Sequence, residues 1–210
     1  MVKIIHASQV NFSQYTDAFA DLMHATGPVT YDYQFNGRSL FDHIVKLSWR
    51  MPGTLFAYDG TTLALEGDKL VGIEVGFHGP EFATRKKALG ALWPEIIEAG
   101  HVTTEELGLI AERTFQCSYL NAAIPKNVYY THALSVDETR RGKGIGAKLI
   151  RNALAEGRRA SLRALHLDVL SDNPAVDFYK ALDFQCLVES TAPIPLQHGI
   201  PMEMRMSIDL

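Results

Sequence analysis

The spacing of apolar residues changes several times along the chain, and each change predicts an element. Phe12, Tyr15, Phe19, Leu22 and Met23 recur at helical intervals and predict a helix that stops at Gly27-Pro28. Leu40, Phe41, Ile44, Val45 and Ser48 predict a second helix, ended before Pro52-Gly53. The period then drops to two. Residues 61–66 and 70–78, joined by Gly67-Asp68-Lys69, predict a β-hairpin with Leu63 and Leu65 on one face. From Phe82 to Ala99 and from Thr103 to Phe115 the helical period returns. The latter stretch opens with Thr103-Thr104-Glu105-Glu106, where a threonine three residues ahead of a glutamate can form a reciprocal cap. Residues 79–127 thus predict a helical insert laid over one side of a sheet.

Residues 127–136 predict a strand, with two tyrosines and a threonine leading into Leu134 and Val136. A glycine-rich stretch follows, then a helix with Ile145, Leu149, Ile150, Ala153 and Leu154 on one face. Leu165, Leu167 and Val169 alternate with His166 and Asp168, predicting another strand. Asn173-Pro174 has the form of a helix cap and first position, and Ala175, Phe178, Tyr179 and Leu182 supply that helix's apolar face. Residues 184–189 and 202–209 close the chain as strands. No repeat or linker interrupts it, so the expectation is one domain, 1–210, of α/β class with an α+β mixed sheet.

Composition narrows the function classes. The 210 residues are 47% apolar and 21% charged, with a formal charge of −4, the profile of an ordinary globular protein. No apolar run approaches the ~18 residues of a membrane span, and the N-terminal apolar stretch is too short for a signal peptide. Mild acidity argues against nucleic acid as a partner. Cys117 and Cys186 lie far apart without metal-ligand spacing, so no metal is expected and a reduced, cytoplasmic setting fits.

Arg141-Gly142-Lys143-Gly144-Ile145-Gly146 lies between a predicted strand and a predicted helix. Glycines let backbone N–H groups approach an anion closely, and the helix N-terminus adds partial positive charge. Pyrophosphate fits such a loop, with Arg140, Arg141 and Lys143 alongside. The string Gly142-x-Gly144-x-x-Ala147, with Asp168 at 21 residues beyond, also fits a dinucleotide fingerprint and hence an NAD-dependent oxidoreductase. Against it, residues 137–141 separate the strand from the first glycine, Asp168 falls inside its strand, and too little chain follows to complete a doubly wound sheet.

Leu134-Ser135-Val136, the loop 141–146, Asn173-Pro174-Ala175 and Phe178-Tyr179, taken in that order, resemble the GCN5-related N-acetyltransferase (GNAT) superfamily over residues 128–188. The resemblance implies the acyl-CoA N-acyltransferase fold, acetyl-CoA as co-substrate, and a sheet split between the strands near 130–136 and 164–170. It implies that Leu134, Ser135 and Val136 meet the pantetheine arm and thioester. Arg141, Gly142, Lys143, Gly144, Ile145 and Gly146 would then hold the pyrophosphate, with Asn173 and Phe178 on the arm. Thr131-His132-Ala133-Leu134-Ser135-Val136 is similar to a strand of arylalkylamine N-acetyltransferases whose histidine helps remove the amine's proton through water.

The chemistry needs such groups. An alkylammonium is only about 0.1% neutral at pH 7, and only the neutral amine attacks a thioester. His132 is the candidate base; simple alternation puts it on the same face as Leu134 and Val136, unless a bulge resets the parity. Tyr179 is the candidate acid for the departing thiolate. Nothing marks Cys117 or Cys186 as an acyl carrier, so direct attack in a ternary complex is expected. Glu74, Glu95, Glu98, Glu105 and Glu106 are candidates to attract a cationic acceptor or to lie on solvated faces. The expected activity is acetyl transfer to a primary amine by a monomer or homodimer. A non-catalytic CoA-binding sensor is the other alternative.

Overall fold

A computed structural model describes all 210 residues. The strands are β1 (Val2–His6), β2 (Thr61–Glu66), β3 (Lys69–His78), β4 (Val128–Val136), β5 (Ala164–Leu170), β6 (Gln185–Ser190) and β7 (Glu203–Asp209). The helices are α1 (Thr16–His24), α2 (Pro28–Gln34), α3 (Arg38–Arg50), α4 (Glu81–Ala88), α5 (Trp93–Glu98), α6 (Thr104–Ser118), α7 (Ile145–Arg159), α8 (Ala175–Lys180) and α9 (Pro193–Gln197). The strands form one sheet in the order β1-β2-β3-β4-β5-β7-β6. Every adjacent pair is antiparallel except β4 and β5.

The sheet is covered on both faces. On one, α1, α3 and the insert helices close over Phe19, Phe41, Ile44, Leu63, Leu65, Ile73, Ile96 and Ile110. On the other, α7 and α8 pack over Ile150, Leu165, Leu167, Tyr179 and Met206. The hairpin forms as predicted, with Leu63 and Leu65 in one core and Ala64 in the opposite one. Thr103 and Glu106 form both halves of the predicted reciprocal cap on α6. Elements not anticipated are β1, α2 and α9. Gly27-Pro28, read only as a stop, also starts α2, with Pro28 at the first helical position.

Two irregularities in β4 decide the geometry of the site. It pairs with β5 only from Val128↔Ala164 to Thr131↔Leu167. Beyond that point β4 continues on β3 and β5 continues on β7, leaving residues 132–136 and 168–170 without a ladder between them. The second irregularity is a bulge. Val75 faces Ala133 and Gly76 faces Thr131, so His132 is the extra residue.

Candidate active site

The bulge turns His132 away from the face that simple alternation assigns it. Its ring sits among Phe56, Phe77, Phe82 and Tyr130, at centroid distances of 5.8, 6.4, 5.7 and 6.4 Å. Leu134 and Val136 instead pack toward Ile145 and Leu149 on α7. The imidazole is only partly buried, yet its Nε2 is sealed from solvent with no hydrogen-bond partner. Burial, and after it the ammonium of Lys86, pushes its pKa down to about 4, well below the ~6.5 of an ordinary histidine. At neutral pH the ring is therefore uncharged.

The glycine loop begins where β4 ends. Asp137 Oδ1 accepts from the N–H and the hydroxyl of Thr139 at 2.9 and 2.6 Å, turning the chain away from the sheet. Gly142 and Gly144 adopt φ of 74° and 75°, a left-handed conformation that costs other residues about 1 kcal/mol or more. The N–H groups of Gly142 through Ala147 donate to no backbone carbonyl; the first bond of α7 runs from Lys148 N to Gly144 O at 3.1 Å. Six amide donors thus gather at the positive end of a 15-residue helix. Of the three nearby cations, Arg140 is held by Glu66 at 2.8 Å. Arg141 donates from Nε to Val136 O at 3.2 Å and stays exposed, as does Lys143.

The second wall of the opening between β4 and β5 comes from α8. Asn173 Oδ1 accepts from Ala175 N at 2.9 Å, the predicted cap, which leaves the Asn173 amide hydrogens for a ligand. Phe178 packs onto Gly146 at the start of α7. Tyr179 is buried beside Phe178 and Phe184. Burial first, then the Glu74 carboxyl, push its phenol well above the usual value, so it stays protonated. Ser135 is buried with its ladder partner Ile73, while Leu134 and Val136 face Glu74 and Gly72 across the ladder.

Glu74 is not available to an acceptor. It is fully buried, accepting from Thr131 at 2.9 Å and Tyr129 at 3.3 Å, and burial pushes its pKa up to about 8. Glu106 is engaged in the α6 cap. Cys117 is buried and its thiol pushed up by that burial, the opposite of an activated nucleophile. Two groups that sequence reasoning did not single out share the His132 side: Lys86 on α4, and Glu203 on β7, pushed up to about 7 by burial and by Asp168. No local spacing marks either one, because α4 and β7 meet β4 only in the folded chain.

Residues 45–184 match the model of the acetyltransferase (GNAT) family. The chain belongs to that family. Its fold is similar to that of an N-acetyltransferase from Staphylococcus aureus Mu50, with 15% identity, a TM-score of 0.72 and coverage of 98% of this chain and 100% of that one. A second acetyltransferase structure gives 18%, 0.68, 99% and 98%. The ribosomal-protein-S18-alanine N-acetyltransferase of Escherichia coli gives 12%, 0.55, 100% and 94%. No curated protein matches the sequence. This GNAT protein is accordingly an acetyl-CoA-dependent acyltransferase that moves an acyl group from acyl-CoA to an acceptor. Its mixed sheet carries the helical segment 79–127 between hairpin and central strand. The nicotinamide-dependent alternative also loses its ribose ligand, because Asp168 is occupied by Arg205 and by the Tyr130 hydroxyl at 2.9 Å. No helix is long and apolar enough to cross a membrane.

Proposed function

We propose that this acyltransferase acetylates a primary amine by direct attack on acetyl-CoA in a ternary complex. The observation that carries the reading is the parting of β4 from β5 after Thr131 and Leu167, beside six unpaired amide donors. In this reading Arg141, Gly142, Lys143, Gly144, Ile145 and Gly146 hold the pyrophosphate through backbone N–H groups and the two free cations. The backbone of Leu134, Ser135 and Val136 lines the opening on one side, with Asn173 and Phe178 on the other. A slot of this shape accepts a narrow thioester arm and leaves its acyl carbon at the His132 face.

The amine nitrogen bonds to the acyl carbon, the C–S bond breaks, and its electron pair leaves on sulfur. Tyr179 donates to that sulfur; the burial that raises the phenol also raises a thiolate left in the same slot, which narrows the gap between them. His132, held neutral, takes a proton from the amine through water at Nδ1, the ring nitrogen that is not sealed, and passes it to solvent.

Free-thiol release from acetyl-CoA across a panel of amines tests this. The parent raises thiol above background hydrolysis with at least one amine, Tyr179→Phe lowers kcat about 10- to 100-fold, and His132→Ala lowers it with a changed pH profile. A panel on which no amine exceeds background removes the acetyl-transfer reading. Variants indistinguishable from the parent remove the two role assignments.

A further inference from the structure

Lys86 is a cation without a counter-ion. Its neighbour Arg85 pairs with Glu81 and with Asp59, each at 3.0 Å, whereas no carboxylate pairs with Lys86. One helical turn to either side of Lys86 stand Phe82 and Gly90, so its own helix offers no acid at the pairing distance. The one ionisable group acting in favour of its charge is the Cys117 thiol, and burial works against that charge. A half-buried ammonium left in this state carries an uncompensated desolvation cost.

The position of Lys86 gives that charge a purpose. Its Nζ lies 5.9 Å from the centre of the Phe82 ring, and the His132 ring lies 5.7 Å from the same ring. The walls around His132 are otherwise aromatic, from Phe56, Phe77 and Tyr130. An amine that is only a cation would meet like charge here. An amine with an anionic group would not. A phosphate asks for a guanidinium fork or several donors, whereas a single ammonium between aromatic walls suits a carboxylate attached to an apolar body.

We propose that the acceptor is an amine that also carries a carboxylate, of amino-acid type, and that Lys86 binds that carboxylate while the amine faces His132. This rests on the acetyl-transfer reading above. It has a chemical corollary. Pairing Lys86 with the substrate's carboxylate neutralises one of the two influences that hold His132 low, so the bound acceptor strengthens the base that serves it.

The experiment compares L-phenylalanine, L-leucine and L-alanine with their own carboxamides in thiol release, using the parent, Lys86→Met and Lys86→Arg. The amides lose their amine proton more readily, so a preference for the acids runs against intrinsic reactivity. The expected result is a kcat/KM about tenfold or more higher for the acids in the parent. Lys86→Met abolishes that preference through KM and leaves the amides no slower, and Lys86→Arg restores part of it. Equal use of acids and amides by the parent overturns the proposal, as does an equal loss on both in Lys86→Met. An acetyl group found on Lys86 by intact mass after incubation with acetyl-CoA also overturns it, since Lys86 would then be the acceptor. Should no amine be turned over, the transfer reading fails by itself. Calorimetry of the CoA-loaded protein then decides the Lys86 assignment: N-acetyl-L-phenylalanine binding better than its amide supports it, and equal binding ends it.

Discussion

Phe178 rests its ring against Gly146 so closely that a methyl group at 146 would stand 3.2 Å from Cζ. The contact joins the first turn of α7, where the free amides gather, to α8, which carries Tyr179 on the next residue. The glycine loop and the helix of the candidate acid are therefore tied together through one contact.

Gly146→Ala separates these effects. Alanine favours a helix over glycine by about 1 kcal/mol, which offsets the crowding, so Tm stays within a few degrees of the parent. The ring must move, and the KM for acetyl-CoA rises several-fold while kcat falls as Tyr179 shifts. Steady-state kinetics beside a thermal melt check this; unchanged kinetics would show that the α7–α8 contact is packing alone.

Lys86→Met is expected to raise the pKa of His132 from about 4 toward 6.5, because the ammonium is the second cause of its depression. The acid limb of kcat/KM then moves to higher pH. For stability the sign is also set. Between about 6.5 and 4 the unfolded chain takes up a proton that the native ring refuses, so the parent loses stability as pH falls through that window, less so in Lys86→Met. Ring-proton NMR titration follows both. A His132 pKa that does not move would leave burial as the whole cause.

Glu74 works in the other direction. With its pKa pushed up to about 8, the native state holds a proton that the unfolded chain releases near 4.5. Its contribution is complete below about 4.5 and is lost as pH rises to about 8. Glu74→Gln keeps an acceptor oxygen for Thr131, turns the other contact into an amide N–H donating to the Tyr129 hydroxyl oxygen, and removes the titration, so it should stabilise the protein by about 1 to 3 kcal/mol at pH 8 and hardly at all at pH 4. Urea denaturation at the two pH values measures the difference. Equal effects at both would refute the assignment.

Asp168 and Arg205 form an ion pair whose side chains are 7% and 3% exposed. Arg205 also donates to the carbonyls of Ala123 and Ala122 at 3.0 and 2.7 Å, which ties the segment after α6 to the sheet. Asp168→Asn leaves a buried guanidinium without its partner and should cost about 3 kcal/mol. Amide exchange should show residues 119–127 losing protection. A loss below 1 kcal/mol would mean that water compensates the charge.

What could be read from the chain before folding follows from how local each signal is. The hairpin, the Thr103–Glu106 cap, the Asn173 cap and the strand-loop-helix around 142–146 are written in neighbouring residues, and all of them form. β1 was illegible because its five residues show a mixed burial pattern and are held by a single partner strand. Alternation alone leaves the His132 face open between two outcomes, and the bulge that decides it is a register shift against Val75 and Gly76, more than fifty residues away. Lys86 and Glu203 gain meaning only where α4 and β7 are brought to the His132 side. The roles proposed for the loop and for Tyr179 rest on family resemblance, since glycines and a tyrosine on an apolar face specify no reaction.

Tyr130 belongs to the last stretch of β4 still laddered to β5, and its hydroxyl reaches Asp168, just past the end of that ladder, at 2.9 Å. Asp168 in turn grips Arg205 on the neighbouring strand. These three side chains rivet the crotch of a fork: they stop the tear between two half-sheets from running further and set how deep the opening between them runs. The opening between β4 and β5 thus ends on a buried side-chain fastener and not on backbone ladder bonds alone.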